Sequence, residues 1–156
     1  MPLDEVGNKA EGLFPGESAQ DARSIIQVPI VIQVPASADA STELAATGYV
    51  PLPIAGRVRE VWVNQESSLS DDTQNYCAFN CVDQDGNVVA SKAIDASDGS
   101  DDVAANTPFA LTVDDSLDHL DAGDALGISV TKTGTGISSV AGTMTVWLEL
   151  RGSTAR

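Results

Sequence analysis

The sequence predicts an all-β fold, an antiparallel jelly roll or β-sandwich with an extended N-terminal arm, and three observations carry that expectation. Apolar and polar residues alternate over short runs, the period expected when every second side chain enters a core. Polar loops rich in Asp, Ser and Gly separate these runs, and no long stretch carries apolar residues at helical spacing. At 156 residues the chain is about one domain long, enough to bury a core without disulfides or metal.

Residues 1–24 (MPLDEVGNKAEGLFPGESAQDARS) show no periodicity and hold Pro2, Pro15 and three glycines. They read as an arm, with Leu13 and Phe14 as its apolar anchor for a partner. The β-domain follows over 25–151, and 152–156 form a C-terminal tail. In IIQVPIVIQVPAS, Ile26, Val28, Ile30, Ile32 and Val34 make a stripe, with Pro29, Gln33 and Pro35 on the other face. Proline cannot donate to a ladder, so this run is predicted at a sheet edge, paired on one side only. The regular run 142–151 is its expected neighbour.

ASADASTELAATG has the composition of a loop with one helical turn, and strand character resumes in YVPLPIAGRVREVWVNQ. Val58 and Trp62 fall on one parity and Val61 and Val63 on the other, a slip that a β-bulge near Glu60 explains. After the polar QESSLSDDTQN, the run YCAFNCVDQ puts Cys77, Phe79 and Cys81 on one face. Asp85-Gly86 signals a hairpin, with residues 88–94 as the return strand. TPFALTV aims Phe109, Leu111 and Val113 inward. ALGISVTK does the same with Leu126, Ile128 and Val130, and GTMTVWLELR with Met144, Val146, Leu148 and Leu150. On that last run Trp147 points away from the core, toward the arm or a protein interface.

Composition limits the function. With 23 acidic and 8 basic residues, a net charge of −15 repels nucleic-acid phosphates, so direct nucleic-acid binding is not expected. No apolar run of about 18 residues marks a membrane span, and the N-terminus lacks the pattern of a signal peptide. Cys77 and Cys81 stand four apart on one strand, roughly 13 Å, where a disulfide needs about 7 Å or less. They are expected as buried apolar fillers.

Asp95, Asp98, Asp101 and Asp102, or Asp114, Asp115, Asp118, Asp121 and Asp124, raise the question of structural calcium. An EF-hand reading of VDQDGNVVASK fails because Lys92 stands where the closing carboxylate belongs. Solvated aspartates and turn formers are preferred, and no cofactor is expected. His119 lies in a polar loop without a nucleophile elbow, and GTGISS lacks the lysine of a phosphate loop. No catalytic residues are assigned, and an enzyme is not expected.

The segments YVPLPIAGRVREVWVNQ, PFALTVDDSLDHLDAGDALGISVTKTGTG and GTMTVWLEL, within residues 49–150, together resemble the small jelly-roll proteins of tailed-phage virions, in particular capsid decoration (cement) proteins. The resemblance implies a non-enzymatic homotrimer on the outer surface of a phage head, assembled in the host cytoplasm and bridging major capsid protein subunits. The contacts expected on that reading are Leu13, Phe14, Pro29, Gln33 and Trp147. The alternative is a glycan- or receptor-binding β-sandwich module of a tail fibre or other virion appendage, with Trp62 and Trp147 as its aromatic contacts.

Overall fold

The computed structural model describes residues 26–36, 43–70, 73–95, 102–134 and 141–150. They form strands and no helix: β1 (Ile26–Val34), β2 (Leu44–Pro51), β3 (Gly56–Gln65), β4 (Tyr76–Asp83), β5 (Val88–Ile94), β6 (Phe109–Val113), β7 (His119–Leu120), β8 (Ala125–Thr133) and β9 (Gly142–Leu150). The arm with Leu13 and Phe14, and the tail 152–156, lie outside the described residues.

The strand order is β1-β9-β3-β6-β5-β4-β8-β2, with the two-residue β7 on β3. Setting β7 aside, the chain pairs from its ends inward: β1 with β9, β2 with β8, β3 with β6 and β4 with β5, each pair antiparallel. A long antiparallel ribbon rolled in this way gives the two four-stranded layers of a jelly roll, β1-β9-β3-β6 and β5-β4-β8-β2. β6 joins the layers, pairing β3 through Val61↔Leu111 and β5 through Ala90↔Val113.

The edge expectation for the proline-bearing strand holds. β1 pairs β9 without a break from Ile26↔Leu150 to Val34↔Gly142 and ends the strand order. Pairing that continues unbroken on both sides of Pro29 requires its nitrogen to face the open side, where no ladder bond is lost. The far edge, β2, approaches β1 at Gly48 (φ +69°), where an added Cβ would sit 2.9 Å from Ile32 Cγ2. A side chain here would be strained and would collide with the core stripe of β1.

The bulge is present at the expected place. Register runs Val58↔Leu148 and then Glu60↔Trp147, leaving Arg59 as the extra residue. Val58 and Val61 therefore both face the core, while Glu60 and Trp62 face out. The β4–β5 hairpin also forms, with positive φ at Gly86 alone and Gly86 N–H donating to the Asp83 carbonyl at 3.1 Å. One local expectation is corrected in part: from Leu44 onward the segment ASADASTELAATG is not loop but strand β2, while residues 37–42 lie outside the described residues. Two register shifts within β2 hide its alternation.

The core lies between the layers. Phe79, Cys77, Cys81, Leu126, Ile128, Val130, Met144 and Val146 are fully buried, as the alternation predicts. Phe79 of one layer meets Phe109 edge-to-face across the core, with centroids 5.3 Å apart, worth about 0.5–1.5 kcal/mol beyond area burial. An unexpected closure comes from two loops. Leu69 and Val103 exchange backbone hydrogen bonds of 2.8 Å each and bury both side chains.

Candidate functional site

Because β1, β9 and β3 run side by side in register, the outward side chains of this layer stand in rows. They read Gln27–Glu149–Arg57, Pro29–Trp147–Glu60, Val31–Thr145–Trp62 and Gln33–Thr143–Asn64. Three of the residues expected at a partner contact, Pro29, Gln33 and Trp147, thus share one face, and Pro29 is the register partner of Trp147. Pro29, Val31 and Gln33 are exposed, whereas Trp147 is half-buried.

Between the two tryptophans the face hollows into an open groove of ≈ 540 Å³, lined by Trp62, Asn64, Pro108, Thr143, Thr145 and Trp147. Its shape follows from side-chain size: small threonines of β9 form the floor and two indoles rise beside them on diagonally adjacent positions of β3 and β9. Trp62, 38 % exposed, donates its indole N–H to Glu60 Oε2 at 3.0 Å, which fixes the ring. The Asn64 side-chain carbonyl Oδ1 is buried with no hydrogen-bond partner. Sequence reasoning found Trp62 and Trp147 but missed Asn64, Thr143 and Thr145. Their significance comes only from the neighbouring strand.

At the opposite end of this layer sits a charged cluster that the sequence did not reveal. Asp118, 1 % exposed, accepts from Arg57 Nε and lies 2.6 Å from His119 Nδ1 through Oδ1. Burial pushes the Asp118 carboxyl up, but the hydrogen bonds from Arg57 and His119, with the charge of Arg57, outweigh it and hold the carboxyl below its ordinary value. Arg57 Nη2 also reaches Asp115 at 3.6 Å, and Arg59 pairs with the buried Glu149. His119 itself is 68 % exposed, and beside it a smaller hollow of ≈ 190 Å³ is lined by Ala55, Gly56, Arg57, His119, Leu120 and Asp121. These pairs fix β7 and the bulge of β3 in place.

The aspartates of the second acidic connection disperse instead of converging. Asp114 is held below its ordinary pKa by the Ser116 hydroxyl and backbone, and Asp124 by Gln84 and the Asp121 backbone. Both serve as turn formers. Among the described residues no group of three His, Cys, Asp or Glu side chains is placed to hold a metal ion. Asp98 and Asp101 of the first acidic loop lie outside them. Cys77 and Cys81 are free and buried, and burial pushes their thiols up to about 11 and about 12. They carry little thiolate at neutral pH and behave as apolar filler. Among the described residues no helix is long and apolar enough to cross a membrane.

Compared with known proteins, the chain matches no family model, no curated protein and no solved structure.

Proposed function

We propose that this chain is a structural virion protein, a decoration or cement protein that docks on the outer surface of a tailed-phage head and stabilises contacts between major capsid protein subunits. The observation that carries the reading is the outward strip of β1, with exposed Pro29, Val31 and Gln33 beside half-buried Trp147. Such a strip offers neutral, partly apolar surface at a sheet border, while the proline discourages indiscriminate strand addition. The resemblance of residues 49–150 to decoration proteins supports the same role. As a homotrimer at a capsomer junction, each protomer needs only modest affinity, because three linked contacts act together. On this reading residues 1–24 add contact area, and Leu13 and Phe14 anchor them.

The test is binding to heads stripped of decoration. Full-length protein is expected to saturate them at a fixed ratio to capsomers, and both deletion of residues 2–22 and Trp147→Ala are expected to lower occupancy. Melting curves that match the parent show these variants folded. Full-length protein that fails to bind such heads overturns the proposal, and undiminished binding by the deletion removes the arm from it.

A further inference from the structure

We infer that the groove between Trp62 and Trp147 is a binding site for an uncharged oligosaccharide, a role that goes beyond shell docking and does not depend on it. The chemistry of the lining selects the ligand class. The chain carries −15 net charge, yet the groove is lined by two tryptophans, two threonines, one proline, one valine and one asparagine, with no ionisable residue among them. The lining itself therefore offers no ion pair, and the carboxylate beside it, Glu60, is engaged by the Trp62 indole. A ligand matched to this lining needs flat apolar faces for the indoles and uncharged hydroxyls for the amide and threonines. A pyranose has both, with its C–H faces above and below the ring and its hydroxyls around the rim.

The geometry supplies the remaining requirements. Trp62 pairs in register with Thr145, and Trp147 with Glu60, so the tryptophans occupy diagonal positions on neighbouring strands, roughly 7–8 Å apart along such a diagonal. That spacing leaves room for a sugar ring across the pair. The Trp62 ring is held by its bond to Glu60 Oε2, so the stacking surface is organised before a ligand arrives. Asn64 contributes a carbonyl that has no partner, and leaving an acceptor unmatched is unfavourable. Asn64 lines the groove, so a ligand hydroxyl that reached this carbonyl would supply the missing donor. The groove is open rather than an enclosed cavity, so a ligand longer than one sugar ring is not shut out.

The only two tryptophans in the chain line this groove, so their fluorescence reports its occupancy. Titration of the full-length protein with maltohexaose, cellohexaose, chitohexaose and mannohexaose is expected to give a saturable emission change with at least one of them. An acidic oligogalacturonate is expected to give none. Trp62→Ala is expected to weaken binding about tenfold or more, given the stacking area it removes, and Asn64→Asp, which keeps the shape but adds a charge, to weaken it comparably. Both substitutions lie off the β1 strip, so decoration-free heads should still take up these variants, and failure here stays separate from failure of shell docking. Flat titrations with all four neutral sugars overturn the inference, as does a response that Trp62→Ala and Asn64→Asp both leave intact. Emission that stays flat with every sugar and moves only on adding decoration-free heads reports shell docking through Trp147 and also overturns the inference.

Discussion

Asp118 puts a carboxylate where water does not reach and satisfies it from two sides, by Arg57 and His119. Replacing it with Asn leaves the Arg57 guanidinium without its buried counter-charge, and at pH 7 this is expected to cost about 2–4 kcal/mol. The pH dependence has a definite sign. A carboxyl held below its ordinary pKa in the folded state stabilises fully above about pH 4, where the unfolded carboxyl is ionised as well. That contribution drains away as pH falls through the lower folded value. Denaturant titrations of the parent and Asp118→Asn should therefore show a gap at pH 7 that shrinks in stronger acid, and a gap constant across that range would contradict the role given to Asp118.

At the scale of an element, β1 combines a buried stripe with an open border. Its outward backbone groups at Gln27 and Val31 face the open border, with Pro29 between them, whereas the Gln33 carbonyl lies close to Gly48 of β2. Pro29→Thr restores a donor in the middle of that border without touching the core stripe. It is expected to raise concentration-dependent self-association, visible in sedimentation velocity as species larger than those of the parent. Unchanged sedimentation would mean that something else protects the border. This edge was legible in the sequence because proline constrains a ladder so strongly, and β8 and β9 were legible because their alternation never breaks. β2 was not: Gly48 and two register shifts erase the period on which a reading depends. The site divides the same way. Pro29, Gln33 and Trp147 follow from period-two alternation once β1 and β9 are paired, whereas Asn64 and the threonines gain their role from residues on a different strand. The burial of Asp118 likewise depends on Arg57, 61 positions away in sequence, and no local pattern records it.

For the whole molecule, the nested pairing sets the order in which structure can form. β4 and β5 join through a tight turn, while β1 must find β9, with Ile26 opposite Leu150. Closing such distant pairs carries a large entropic cost before they stabilise anything, so folding is expected on the millisecond-to-second scale. The central hairpin is the natural nucleus. Ile94→Val in β5 and Ile32→Val in β1, both at buried positions, should each cost about 0.5–1.5 kcal/mol. The first is expected to act chiefly by slowing folding and the second by speeding unfolding, and stopped-flow chevrons that show the reverse would place the nucleus at the outer strands.

The same nesting brings the two ends of the domain to one corner. Ile26 and Leu150 face each other across adjacent strands, about 5 Å apart at their Cα atoms, so anything carried before the first strand or after the last one emerges at a shared point. A few residues would suffice to splice the ends into a ring and reopen the chain at a distant turn such as Asp83–Asn87, and two cargoes fused one at each end would be displayed side by side.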